Sequence, residues 1–155
     1  MYATSNDLLV HRKDIFDHGV TDWDDQLQLA ENEVIERIKT EWFVSAVRST
    51  YGYSTSSTYD LAQIVSMFDI ARLDTTAIVN LIALRALAFY IYPSLTVDTD
   101  DGEDAFSRRA ERYKAFYDGE WERVRLMPIY DFNNDTSFDD FDRVMNSSQL
   151  RVVRA

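Results

Sequence analysis

The sequence predicts an all-α protein: a small helical bundle around one buried helix, with an extended C-terminal arm. The strongest observation is residues 74–92, DTTAIVNLIALRALAFYIY, which are apolar on nearly every side of a helix and interrupted only by Asn80 and Arg85. Proline and glycine are scarce, two and four in 155 residues, which argues against the many tight turns of a β-rich fold. Residues 21–48 and 102–127 also repeat apolar side chains at helical spacing.

The central helix is predicted to begin after Asp74, a good N-cap, and to stop at Pro93. A helix that is apolar all round must be surrounded by protein or by lipid. Its length is at the lower limit for a bilayer span, and Arg85 would lie in mid-membrane. We therefore expect a buried core helix rather than a membrane span.

The two long flanking helices each carry one apolar stripe. In the helix 21–48 the stripe consists of Trp23, Leu27, Ala30, Val34, Ile38, Trp42 and Ala46. In the helix 102–127 it consists of Phe106, Ala110, Tyr113, Phe116, Tyr117, Trp121 and Val124. Gly119 lies inside the second helix at a cost of about 1 kcal/mol relative to alanine, and a close helix crossing would explain it. Shorter helices are expected within 1–20, where Thr4 and Asp7 suggest a capping box, and at 60–70.

The composition limits the function classes. With a formal charge of −11, the chain is not expected to bind nucleic acid through its phosphates, because such binding needs clustered Lys and Arg. There is no cysteine, which excludes disulfides, thiolate catalysis and zinc–thiolate sites. The N-terminal residues do not have the basic start and apolar core of a signal peptide, so a cytosol-like compartment is expected.

Catalytic motifs are missing from the sequence. The two histidines, His11 and His18, stand in no recognisable motif, and no nucleophile elbow, P-loop or dinucleotide-binding glycine pattern is present. We expect both histidines to be packing or surface residues. The residues therefore give poor support to nucleophilic catalysis, and no cofactor is expected.

One loop has the spacing of a cation site. Between residues 131 and 142, oxygen-bearing side chains occupy positions one, three, five, seven, nine and twelve of an EF-hand-like pattern. Thr136 replaces the glycine of the sharp turn, and Asp142 replaces the longer bidentate glutamate. A solvated turn rich in Asp and Asn is the preferred interpretation, and a cation site is the alternative.

The chain is predicted to divide into a helical bundle domain, residues 1–128, and an acidic loop with the extended arm, residues 129–155. The arm carries Arg143, Arg151 and Arg154 and no acidic residue, against an acidic body. Its end, LRVVR, contains β-forming residues. Such an arm can add a strand to a partner, while its arginines pair with acidic groups there.

The order of these pieces resembles the head–tail connector, or adaptor, family of tailed double-stranded DNA phages and related gene transfer agents. The resemblance rests on the helix that begins with Trp23, Asp24 and Asp25, the buried LIALRALAFYIYPSL helix, an acidic turn, the helix RRAERYKAFYDGEWERV, and a D-x-N-x-D loop before a terminal arm. It covers about residues 2–142 and depends on helix order and character, without an invariant motif.

The resemblance implies a structural protein without enzymatic activity. It implies a homo-oligomeric ring in the virion neck, commonly of twelve subunits, that docks under the portal protein and extends the DNA channel towards the tail or stopper protein. DNA would pass an acidic channel without specific binding. Members use a C-terminal extension for docking, and the matching residues here are Arg143, Leu150, Arg151, Val152, Val153 and Arg154.

Two other function classes remain open. One is a small helical binding or regulatory module that forms a dimer, which would have a self-complementary apolar face and a dispensable tail. The other is an enzyme or a cation-responsive protein that uses the acidic loops. A cation bound only to the folded state would raise the melting temperature, which distinguishes this class.

Overall fold

The computed structural model describes residues 1–17, 22–50, 60–96, 105–134 and 137. In these residues the chain forms five helices, and the predicted all-α class is confirmed. They are α1 (Ser5–His11), α2 (residues 24–50), α3 (Leu61–Ser66), α4 (Thr75–Leu95) and α5 (Ala105–Arg125). The described residues contain no strand; a single antiparallel bridge joins Leu73 and Tyr130.

The helices begin largely where local chemistry predicts. The Asp7 carboxylate accepts the backbone N–H of Thr4 at 2.7 Å, which confirms the capping box before α1. The Asp74 carboxylate accepts the N–H groups of Thr76 and Ala77 at 3.0 and 3.3 Å, as expected of the N-cap of α4. The acidic turn before α5 and most of the 49–59 loop lie outside the described residues.

The predicted stripe of α2 is buried along its whole length, since all seven of its residues are at most 3% exposed. Several of them follow one another at intervals of four residues, and such a stripe drifts around a helix that has 3.6 residues per turn. A π-helical turn at Ile38–Phe43 lies inside α2 and widens the turn there. This turn keeps the C-terminal part of the stripe directed inwards, and the sequence analysis missed it.

The predicted end of α4 at Pro93 is wrong, because the helix continues to Leu95. A π-helical turn, Leu87–Ile91, comes just before, and the Tyr92 N–H donates to the Leu87 carbonyl five residues back. This wider hydrogen-bonding pattern accommodates a ring that would clash in a regular α-helix. The Ser94 and Thr96 hydroxyls then cap the carbonyls of Ile91 and Tyr92 at 2.7 and 3.1 Å.

The central helix is a core helix, as expected. Ten of its residues are buried: Ile78, Leu81, Ile82, Ala83, Leu84, Ala86, Leu87, Ala88, Ile91 and Tyr92. Its length and composition would also allow it to cross a membrane, with a mean hydropathy of 1.6, but 56% of its most apolar window is buried inside the fold. Core helices of soluble proteins pass the same test, so this is weak evidence for a span.

The chain forms two compact units. The first consists of residues 1–34 and 78–122, and the second of residues 35–77 and 123–155. Leu8, Ile15 and Leu27 are fully buried in the first unit, as are Ile38, Ile64 and Ile129 in the second. Each of α2, α4 and α5 contributes residues to both units. The division predicted at residue 128 stays a prediction.

Candidate interaction surface

The six residues predicted to contact a partner through the arm all lie outside the described residues: Arg143, Leu150, Arg151, Val152, Val153 and Arg154. His18 also lies outside them. The predicted docking role of the arm therefore stays a prediction. The described part of the chain presents other candidate sites and surfaces.

The start of the acidic loop, in the second unit, is built into the fold. The Asp131 N–H donates to the Arg72 carbonyl at 3.0 Å, next to the Leu73–Tyr130 bridge, and the Asp131 side chain is buried. Its Oδ1 accepts the N–H of Asn134 at 2.5 Å, which closes a turn in which Asn134 takes a positive φ of 62°. The expectation of a solvated turn is correct for the exposed Asn134 and wrong for Asp131, because the bridge holds Asp131 inside.

The cation-site alternative gains no support from the described residues. Within them, no group of three or more Asp, Glu or His side chains is placed to hold a metal ion. Asp131 directs one carboxylate oxygen at its own backbone turn, as Asp residues commonly do in turns. Residues 135, 136 and 138–142 lie outside the described residues.

An aromatic cluster in the second unit packs beside this turn. The Tyr130 ring centroid is 4.9 Å from that of Phe43, 5.5 Å from that of Phe68 and 5.0 Å from that of Phe132. The Tyr130 hydroxyl accepts the N–H of Asp69 at 3.0 Å, and burial raises the pKa of Tyr130. The cluster has a structural role, and the sequence analysis missed it because its members come from three separate segments.

His11 belongs to a polar group of the first unit. The Asn80 side-chain amide donates to the Glu120 carboxylate at 2.7 Å, and the Tyr113 hydroxyl donates to the His11 carbonyl at 3.2 Å. Burial lowers the pKa of His11, although Asn80 and Glu120 act in the opposite direction. These contacts tie α1 to α4 and α5. They agree with the expectation that His11 is a packing residue.

Arg85 is held in place within the first unit. Its Nε donates to the Glu33 carboxylate at 2.8 Å, and its guanidinium carbon lies 3.7 Å from the ring centroid of Phe89. Burial and a hydrogen bond to Glu33 raise the pKa of Tyr90 to about 12. Burial acts to raise the pKa of Glu33, but the hydrogen bonds of Tyr90 and Arg85 leave it below its ordinary value. The one cation in the middle of α4 is therefore paired, which allows it to lie in a core helix.

A basic face lies along the N-terminal half of α5. We define the basic face of α5 as Arg108, Arg109, Arg112, Phe116 and Gly119, which lie within about 100° of one another around the helix. Residues 105–117 contain four basic residues and one acidic residue in a chain of charge −11. None of the three arginines forms an ion pair with a residue that the structure describes. Arg108 and Arg112 are exposed, and Arg109 is half-buried.

Two predictions about α5 are wrong at this face. Phe116 was expected in the apolar stripe, but it is 46% exposed and lies 5.2 Å from the guanidinium carbon of Arg112. Phe116 and Tyr117 are adjacent on the helix and only Tyr117 faces the core, because consecutive residues differ by about 100°. Gly119 was expected at a close helix crossing, but a Cβ at this position would have no described atom within 4 Å. The Phe116 ring meets the Tyr113 ring edge-on, with the centroids 5.7 Å apart, so part of it is packed, whereas nothing in the described fold explains Gly119.

The first unit also has an acidic face, which lies on α2. We define the acidic face of α2 as Asp25, Leu29 and Glu33, which recur every four residues. Residues 22–36 contain six acidic residues and no basic residue. Leu29, in the middle of this face, is 50% exposed. Each face thus presents one exposed apolar side chain beside charged residues, although Glu33 on the acidic face is paired with Arg85.

Comparisons with protein-family models, curated proteins and solved structures found no match. The features of the chain that bear on its function are therefore the helix order, the distribution of charge and the two exposed faces.

Proposed function

We propose that this protein is a structural head–tail connector, or adaptor, of a tailed double-stranded DNA phage or a gene transfer agent. In this role its copies form a ring in the virion neck that docks under the portal protein and extends the DNA channel towards the tail. The protein has no enzymatic activity and needs no cofactor. It assembles in the host cytoplasm and contacts the portal, neighbouring copies and a tail or stopper protein.

The observation that carries the proposal is the order and character of the helices. A short helix is followed by a long amphipathic helix that begins at Asp24, a buried central helix Thr75–Leu95 and the long helix Ala105–Arg125. This is the succession on which the family resemblance rests. The charge supports the proposal as well, because an acidic channel offers DNA none of the counterion release that holds it to basic surfaces.

The experiment is co-migration of the purified protein with a portal ring from the same source. We expect a ring complex whose mass includes several copies of the chain. A variant lacking Leu150–Ala155 should keep its helical circular dichroism and lose the complex, because these residues provide the predicted docking strand. The matched control replaces Ser147 and Ser148 with alanine, in the same segment, and should co-migrate as the wild type does.

Other outcomes contradict the proposal in distinct ways. A stable dimer that ignores the portal would favour the binding or regulatory module. A complex that survives the deletion would remove the arm from the contact while leaving the adaptor role intact. A rise in melting temperature on adding Ca²⁺ or Mg²⁺ would favour the cation-responsive class.

A further inference from the structure

The basic face of α5 has two features that the described fold explains only in part. Phe116 leaves nearly half of its surface in water, although burying a phenylalanine typically gains about 1.5–3 kcal/mol. Gly119 weakens an exposed helix interior, where alanine would fit without contact. A glycine in this position lets another backbone approach the helix closely. The arrangement is that of a contact surface whose partner is not among the residues that the structure describes.

The composition of the face is that of an interface. Arginine and aromatic residues are enriched at the energetic centres of protein contacts, where an aromatic anchor is surrounded by groups that exclude water. Phe116 is such an anchor, and Arg112 lies 5.2 Å from its ring centroid. The partner must then offer negative charge around a small apolar contact.

We propose that the partner is a second copy of this chain, which docks on the basic face of α5 through its acidic face of α2. On the acidic face of α2, Asp25 forms no ion pair with a described residue, Glu33 is paired with Arg85, and Leu29 supplies an exposed apolar side chain between them. The charges of the two faces are therefore opposite, and such complementarity steers association and fixes its orientation. Every copy carries both faces, so each can bind one neighbour through α2 and another through α5.

A contact between two different faces is heterologous, and it closes into a ring when the rotation between copies allows. In this respect the inference rests on the proposed adaptor function and deepens it, because it names the contact between neighbouring subunits. The contact itself is argued from the two faces and needs no portal.

The first experiment measures self-association of the full chain by sedimentation velocity over a range of concentrations and salt. We expect association at low salt that weakens as salt is added, because exposed charges are screened. Arg112→Glu and Asp25→Lys should each weaken self-association about tenfold or more, since each brings like charges together. The matched control is Arg48→Glu, which makes the same charge reversal at an exposed arginine of the second unit and should leave association unchanged.

The decisive measurement mixes the two variants. The altered α5 face of Arg112→Glu subunits should accept the altered α2 face of Asp25→Lys subunits, which restores association that neither variant shows alone. Restoration identifies the pair of faces and supports the inference. Failure of the mixture to associate, with both variants folded by circular dichroism, would overturn it, and so would wild-type protein that remains monomeric at low salt.

Gly119→Ala separates binding from folding. The substitution should raise the melting temperature by about 2–4 °C, because alanine favours the helix by about 1 kcal/mol. It should also weaken self-association, because the added methyl group keeps the neighbour further away. A more stable variant that associates as tightly as the wild type would show that no close approach occurs at Gly119 and would overturn that part of the contact.

The inference and the proposed function can fail separately. If the wild-type chain co-migrates with the portal but the charge reversals change neither self-association nor the copy number in the complex, the inference fails and the adaptor role stands. If the mixed variants associate as expected but the portal is never bound, the contact stands and the adaptor role fails.

Discussion

At the scale of single residues, two neighbouring tyrosines have opposite hydrogen-bonding situations. Tyr92 is fully buried, and its hydroxyl forms no hydrogen bond of ordinary geometry in the described part of the chain, although the nearby Tyr113 hydroxyl contributes to raising its pKa. Its ring stacks on that of Tyr113, with the centroids 5.3 Å apart. The Tyr113 hydroxyl donates to the His11 carbonyl at 3.2 Å. A buried hydroxyl without a partner lowers stability, whereas a satisfied one adds to it.

Removing the two hydroxyl groups should therefore have opposite effects. Tyr113→Phe should lower the free energy of unfolding by about 1 kcal/mol, because one hydrogen bond is lost. Tyr92→Phe should leave it unchanged or raise it by about 1 kcal/mol, because an unpaired buried group is removed. Urea titration of both variants provides the measurement, and each serves as the control for the other. An equal loss in the two variants would mean that Tyr92 has a partner.

The same burial makes the protein sensitive to alkali. Burial raises the pKa of Tyr92 to about 12, and Tyr90 reaches a similar value beside Glu33. An unfolded tyrosine ionises near pH 10. As the pH rises, the unfolded chain therefore loses these protons before the folded chain does. The contribution of the two tyrosines to the free energy of unfolding is fully present below about pH 10 and is lost between about pH 10 and 12.

Unfolding midpoints measured in denaturant at several pH values from 8 to 11.5 test this alkaline loss. Tyr92→Phe should show a smaller decrease over the upper part of that range, because one of the two shifted groups is gone. A decrease identical to that of the wild type would mean that Tyr92 ionises equally easily in the folded and unfolded states.

At the scale of elements, α4 provides most of the core, and its centre is the most sensitive point. Leu84→Ala should cost about 2–5 kcal/mol, because Leu84 is 4% exposed and the substitution leaves a cavity. The control is Leu29→Ala, which removes the same atoms from a side chain that is 50% exposed and should cost well under about 1 kcal/mol. Thermal or urea unfolding of both variants compares them. A small loss at Leu84 would mean that the central helix is wrongly assigned to the core.

The helices show what can be predicted from sequence and what cannot. The apolar stripe of α2 was predicted residue by residue, because a repeat of three and four residues is a direct property of the chain. The π-helical turns at Ile38–Phe43 and Leu87–Ile91 were not predicted. These turns depend on how the apolar stripe of a long helix packs against the neighbouring helices. The sequence of one helix does not contain this information. The continuation of α4 past Pro93 was missed for the same reason.

The exposed side of α5 was the least predictable part of the candidate surface. Phe116 has helical spacing from Tyr113 and was therefore assigned to the core, but a 21-residue helix has room for only one buried stripe. The wheel position of Phe116 beside Arg109 and Arg112 was the signal that could have identified it as a surface residue. The surroundings of Gly119 could not be predicted either, since only the structure shows that no described element crosses the helix there.

At the scale of the whole molecule, the charge is unevenly distributed along the chain. The whole chain has a net charge of −11, but residues 105–117 are net positive. A uniformly acidic protein would repel its own copies, whereas this distribution gives each copy one surface that attracts the others. Composition alone predicted the acidity, but the pairing of a basic and an acidic face required the helices to be in place.

The division of the chain into two units has a consequence for protein synthesis. The first unit needs residues 78–122 to complete residues 1–34, and the second needs residues from 123 onwards to complete residues 35–77. A nascent chain that has reached residue 77 on the ribosome therefore contains no complete unit, only halves with uncovered apolar helix faces. Domains that are continuous in sequence can fold in turn as they emerge. In this chain, by contrast, the first unit can close only after most of α5 has left the exit tunnel.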